Sequence, residues 1–216
     1  MNKIRIVCFG DSYTWGYIPG TDHERFSEEI RFPKVLQKLL GENFEVIEEG
    51  LNSRTLGSED KRSNKQGRNG STYLIPCLDS HDPIDLVILM LGSNEIKDKF
   101  QNSPKEIGKL FEDNFVKVIL NRKSQFKDSY PKLLIISLPI INEATEYASA
   151  RYFGGTEKSQ QLNLIYSKIA KRNKCHFIDT QQLTVGVDGV HFTKESHIAL
   201  AEMLNNKIKS IWQTQI

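Results

Sequence analysis

The chain has 216 residues, of which 38% are hydrophobic and 26% charged, and its formal net charge is +2. That length favours one domain spanning residues 1–216, with enough apolar residues for an ordinary core. The near balance of charge lacks the basic excess of a dedicated nucleic-acid binder, and no apolar run approaches the roughly 20 residues that span a bilayer.

Five apolar runs are expected to be strands, at residues 3–9, 44–48, 84–91, 132–138 and 176–179. Several are nearly continuous in Val, Ile and Leu, the pattern of strands covered on both faces. Between the first two, Pro33 suits a first helical turn, and Val35, Leu36, Leu39 and Leu40 form one stripe that stops at Gly41. Residues 50–70 form a long polar loop, whose Lys61, Arg62, Lys65 and Arg68 are expected to be solvated surface. Ser103-Pro104-Lys105-Glu106 carries a capping serine, a first-turn proline and a glutamate placed to return a hydrogen bond, so a helix is expected through Val118. A second long loop follows at 139–155, then helices over 156–173 and 194–212. Strands alternating with helices predict right-handed crossovers and a five-stranded parallel sheet in a three-layer α/β/α fold. Cys8, Cys77 and Cys175 have no CxxC spacing and are expected to be reduced thiols rather than disulfides or ligands. The N-terminus opens on a strand without a leader-peptide pattern. A cytoplasmic protein is expected, free of nucleic acid and membrane.

Open α/β sheets hold ligands at the carboxyl ends of their strands. Ser12 follows the first strand, Asn52-Ser53 the second and Asn94 the third, and Asp188 and His191 follow the fifth. A serine hydroxyl becomes a nucleophile when a base removes its proton as it attacks. His191 is the candidate base, because Asp188 stands three residues before it, with Gly189 allowing a tight bend, and can hold one ring nitrogen while the other faces Ser12. Asn94 offers an amide to a developing oxyanion, alongside the backbone N–H groups of Ser12 and of the Asn52-Ser53 turn. Ser12 is not in a Gly-x-Ser-x-Gly elbow, since Thr14 occupies the second glycine position. The Gly10 and Gly16 spacing also fails as a dinucleotide or phosphate-binding fingerprint.

Gly10-Asp11-Ser12, Gly92-Ser93-Asn94 and Asp188-Gly189-Val190-His191, in this order, resemble the SGNH (GDSL) hydrolase family. The longer strings at residues 10–16, 48–55 and 90–94 are similar to its arylesterase/acyltransferase branch, and the likeness covers essentially the whole chain. It implies a flavodoxin-like fold and a cofactor-independent serine esterase that cleaves a small carboxylic ester through an acyl-enzyme. Ser12, His191 and Asp188 would form the triad, with Ser12, Ser53 and Asn94 forming the oxyanion hole. Acyl transfer and a homo-oligomer are both compatible with it. Alternatives are a carbohydrate O-acetylesterase using the same triad and, from another class, an inactive binding module on this fold. Two positions depart from the usual pattern: Asn52-Ser53, where Ser precedes Gly or Ala, and Glu95, where Asp follows the Asn. Trp15, Tyr17, Phe153 and Phe192 are candidates to line the substrate pocket. No residue grouping has catalytic metal-ligand spacing.

Overall fold

The computed structural model describes residues 3–213. Five strands, β1 (Ile4–Gly10), β2 (Phe44–Gly50), β3 (Leu86–Met90), β4 (Lys132–Ile136) and β5 (His176–Ile178), form one parallel sheet in the order β2-β1-β3-β4-β5. Among the described residues eight α-helices accompany them: α1 (Ser12–Trp15), α2 (Phe32–Leu40), α3 (Gly70–Ser80), α4 (Pro104–Phe111), α5 (Lys117–Asn121), α6 (Glu146–Ser149), α7 (Gly155–Arg172) and α8 (Lys194–Gln213). Helix α2 packs against α8, and α4 against α7, giving the helical layers of a three-layer α/β/α fold. The apolar runs explain the central strands. Every residue of β3 and four of five in β4 are buried, which strands covered on both faces require.

The helix starts follow local chemistry. In α4 the Ser103 hydroxyl accepts from the Glu106 N–H (3.3 Å), and the Glu106 carboxylate accepts from the Ser103 N–H (2.8 Å), the reciprocal box expected there. The helix expected to run unbroken to Val118 instead passes through a π-helical stretch, Glu112–Val116. Within it Asn114 donates to the carbonyl of Leu56 (3.1 Å), tying this helix to the 50–70 loop. Helix α3 forms although Pro76 stands in its interior, where it removes one backbone donor. Its start is capped by Asn69, whose side-chain oxygen accepts from the Ser71 N–H (3.1 Å).

Neither long loop is unstructured. Thr55 donates to Arg68 O (2.8 Å) and Gly70 to Thr55 O (3.0 Å), closing residues 55–70 into a compact excursion. The second contains α6 and is cinched by Glu143, whose carboxylate accepts from the N–H groups of Gly154 (2.7 Å) and Thr156 (2.8 Å). Cys8, Cys77 and Cys175 are free thiols, and burial pushes that of Cys77 up to about 12. Among the described residues, no helix is long and apolar enough to cross a membrane.

Candidate active site

Ser12 opens α1 two residues beyond β1, and the turn that presents it admits no side chain at Gly10. A Cβ there would lie 2.1 Å from the Thr14 hydroxyl and 2.5 Å from the Met90 carbonyl. The same closeness holds at the end of β2, where a Cβ on Gly50 would lie 2.3 Å from the Trp15 N–H nitrogen. The exits of β1, β2 and β3 are therefore pressed together, as the paired register Gly10–Gly50 and Gly10–Met90 demands. Asp11, fully buried, joins them. One carboxylate oxygen caps the Tyr13 N–H (3.1 Å) and the other accepts from the Ser93 hydroxyl (2.7 Å). Burial raises its pKa, and these hydrogen bonds offset part of the rise.

The loop after β5 brings Asp188 and His191 to the same edge. The Asp188 Oδ1 atom accepts from the N–H groups of Val190 and His191 (both 2.9 Å), a turn that requires Gly189 at φ +74°. A Cβ on Gly189 would sit 2.2 Å from the Asn142 carbonyl. The loop is held from outside by Thr145, which donates to Asp188 O (2.8 Å), and from inside by Tyr13, which donates to Val190 O (2.7 Å). His191 Nδ1 then lies 2.6 Å from Asp188 Oδ2, and His191 Nε2 lies 2.9 Å from Ser12 Oγ. Burial opposes the charge on Asp188. Hydrogen bonds from the His191 ring and from two backbone N–H groups outweigh burial, and the carboxyl stays below its ordinary pKa. A neutral imidazole so held keeps its proton on Nδ1 and offers Nε2 as an acceptor, the arrangement that can deprotonate a serine hydroxyl.

Asn94 leaves β3 and is oriented on both sides. Its Nδ2 donates to Arg54 O (3.0 Å), and its Oδ1 accepts from the Lys97 ammonium (2.7 Å). A lysine ammonium only donates, so the amide oxygen faces Lys97 and the NH2 faces the other way, where Nδ2 also lies 3.4 Å from Asp11 Oδ2 at the edge of the cleft. Burial, with Lys99 and Arg62 nearby, lowers the Lys97 pKa to about 7. Ser53 follows β2 at φ +67°, in the left-handed region. The neighbouring Arg54 is buried, donates to Gly10 O (2.8 Å) and to Glu49 O, and lies over the Phe9 ring (4.1 Å). Glu95 is fully buried. Its Oε1 accepts from the N–H groups of Leu56 (2.6 Å), Gly57 (3.1 Å) and Ser58 (3.3 Å). Its Oε2 accepts from the Ser58 hydroxyl (2.6 Å) and from Asn102 (2.8 Å). The longer side chain at this position thus anchors the 50–70 loop.

These groups open onto a cleft of about 500 Å³. Ser12, Ser53, Asn94 and His191 line it, and Asp188 stands behind the imidazole. Of the proposed pocket aromatics, Tyr17 lines the cleft, its ring stacked on His191 at 4.4 Å between centroids. The other three do not. Phe192 is fully buried against Tyr13 and His197, Phe153 is 80% exposed, and Trp15 packs beside Tyr17 and Arg25. Side-chain direction, which chain position does not reveal, decides each case. Tyr147 takes the place assigned to them, and no sequence signal marked it. The basic loop departs from expectation in part: Lys61 and Arg62 are exposed, as expected, but Lys65 is buried, and Arg62 and Lys65 line the cleft with Lys97, Lys99 and Arg151. Outside the cleft lining, the ligand atoms of Glu49, Cys77 and His81 lie within 4.8 Å of one another. Glu49 and His81 are already hydrogen-bonded there (2.7 Å), with the Arg54 cation 4.0 Å from the carboxylate.

The model of the GDSL-like lipase/acylhydrolase family matches residues 8–198, most of the chain. The chain belongs to this family. Among solved structures, this GDSL hydrolase is similar to an aryl esterase of M. smegmatis, with a TM-score of 0.87 and 37% identity over 96% of this chain and 99% of that one. It is similar to a carbohydrate acetylesterase from Sinorhizobium meliloti, with a TM-score of 0.89 and 34% identity over 97% and 100%. A putative arylesterase from Agrobacterium tumefaciens str. C58 aligns at a TM-score of 0.85 and 30% identity over 96% and 99%. No curated protein matches the sequence. The parallel sheet, the family and these relatives make the chain a serine hydrolase acting on ester bonds.

Proposed function

We propose that this GDSL hydrolase cleaves small carboxylic esters, short-chain acyl or aryl, with Ser12 as nucleophile, His191 as base and Asp188 as its orienting partner. The observation that carries this reading is the unbroken hydrogen-bonded chain Asp188–His191–Ser12, with links of 2.6 and 2.9 Å. As Ser12 Oγ bonds to the ester carbonyl carbon, His191 Nε2 takes the hydroxyl proton. The carbonyl oxygen gathers negative charge, and Asn94 Nδ2, turning its hydrogen from the long 3.4 Å contact with Asp11 Oδ2, stabilises it together with the backbone N–H groups of Ser12 and Ser53. Lys97 strengthens that donor by drawing electron density toward Asn94 Oδ1. When the C–O bond to the alcohol breaks, His191 returns its proton to the leaving oxygen. Water then adds to the acyl-enzyme with His191 again as base, releasing the acid and restoring Ser12.

An alcohol in place of that water gives acyl transfer from the same intermediate. The cleft lining is rich in Asn, Lys and Arg, which favours water in the cleft, so hydrolysis is the main outcome. A cleft of about 500 Å³ accommodates a group of small-molecule size. Turnover of p-nitrophenyl acetate by the wild type and by Ser12→Ala tests the assignment. Loss of a triad serine lowers kcat by a factor on the order of 10⁴–10⁶, and equal rates would remove Ser12 from the mechanism.

A further inference from the structure

The cleft that holds Ser12 is lined by five cationic side chains, Arg62, Lys65, Lys97, Lys99 and Arg151, against one carboxylate, Asp98. The carboxylates behind them do not balance this charge. Asp60 pairs with both Arg62 (Nε–Oδ1, 2.9 Å) and Lys99 (2.7 Å), so one anion serves two cations. Asp98 accepts from the backbone N–H of Phe153 (2.9 Å). Arg151 lies over the Tyr147 ring (4.3 Å) and donates to Tyr147 O, with no carboxylate partner among the described residues. Lys65 is the sharpest case. It is 8% exposed, no hydrogen bond or salt bridge holds its ammonium among the described residues, and the carboxylate near it, Asp60, is already shared by Arg62 and Lys99. Burial, Arg68 and Arg62 lower its pKa, as burial, Lys99 and Arg62 lower that of Lys97.

Crowding like charges around a cleft with too few carboxylates to pair them opposes folding. Such a cluster is sustained where its partner arrives with a ligand, and a cleft lined by one sign of charge concentrates ligands of the other. We infer that the substrate of this hydrolase carries a carboxylate or similar anionic oxygen group besides its ester, received by the Lys65, Arg62 and Arg151 side of the cleft. The inference rests on the esterase reading, with Ser12 placing the ester and the cations placing the charge. Arg151, whose guanidinium has no carboxylate partner among the described residues, suits such a group, because its fork matches two oxygens at once, while Arg62, held by Asp60, adds charge beside it.

Two matched pairs of esters test it. On the alcohol side, 4-acetoxybenzoate is compared with its neutral methyl ester. On the acyl side, p-nitrophenyl hydrogen succinate is compared with p-nitrophenyl butyrate. Each rate is divided by that ester's own rate with hydroxide. The expected result is that kcat/KM favours the anionic member of at least one pair by about tenfold or more, chiefly through KM. That preference should shrink as salt rises from about 0.01 to about 1 M, where the Debye length falls from about 30 to about 3 Å. It should also shrink in Lys65→Met and Arg151→Met, read as the ratio within each pair. Neutral esters matching or exceeding both anionic ones while Ser12→Ala is inactive would overturn the anion site alone. Wild-type turnover in Ser12→Ala would overturn the esterase reading beneath it.

Discussion

Glu95 offers the sharpest test of how the 50–70 loop is held. Replacing it with Gln keeps the shape and removes the charge. The remaining side-chain oxygen can still accept from the N–H groups of Leu56, Gly57 and Ser58, but a neutral acceptor gives about 1 kcal/mol less per bond than a charged one. The new NH2 replaces the oxygen that faces the Ser58 hydroxyl and the Asn102 amide. Ser58 can rotate to accept, while Asn102 faces donor against donor at about 1–3 kcal/mol unless its amide turns over. With local relaxation the loss is about 2–4 kcal/mol. For a chain of this size each 1 kcal/mol moves Tm by about 2–4 °C, so Glu95→Gln should melt roughly 5–15 °C below wild type. The loop begins at the turn carrying Ser53, so kcat for an aryl acetate should also fall, toward the roughly 10²-fold lost when one oxyanion donor is removed. Calorimetry with steady-state kinetics reads both. A variant that melts within about 2 °C of wild type and turns over normally would refute the claim that this carboxylate organises the loop.

Gly92→Ala should be destabilised by about 3 kcal/mol, because φ is +124° and the new Cβ would lie 2.1 Å from the Tyr166 hydroxyl, backbone strain and overpacking each contributing roughly 1–3 kcal/mol; an unchanged urea midpoint would contradict this. His197 makes stability acid-sensitive. Burial, with His191 nearby, lowers its pKa from 6.5 to about 3, so between those values the unfolded chain binds a proton that the folded one does not. Stability contributed by neutral His197 is therefore complete above the unfolded pKa. As pH falls from 6.5 toward 3 it is lost at up to roughly 1.4 kcal/mol per unit. In His197→Gln, denaturation followed at several pH values should show a flatter slope across that window, and an unchanged slope would exclude His197 as its source.

The parts of this molecule that were legible from its sequence are those specified by neighbours in the chain. Continuous apolar runs marked β1, β3 and β4, and a four-residue capping signal marked the start of α4. Asp188 and His191 stand three residues apart, and their hydrogen bond is local. What stayed hidden depends on tertiary placement or competing signals. Pro76 masked α3, whose burial against the rest of the molecule outweighs one missing donor. Phe192 and Phe153 carry equal aromatic character, yet one is buried beneath the site and the other faces solvent. Arg62 and Lys65 resemble the rest of a polar loop until that loop folds back over the exits of β2 and β3.

The Ser12 hydroxyl and the imidazole beside it are separated by 179 positions along the chain. A ribosome therefore makes the serine, and later Asn94, long before the segment carrying Asp188 and His191 emerges. Under the assignment proposed above, a growing chain holds the Ser12 alcohol without its base until residue 191 has been added. Under the proposed triad, ester turnover begins only when the loop of Asp188 and His191 docks through Tyr13 and Thr145. The first acetate released in a coupled translation reaction is a clock for completed folding.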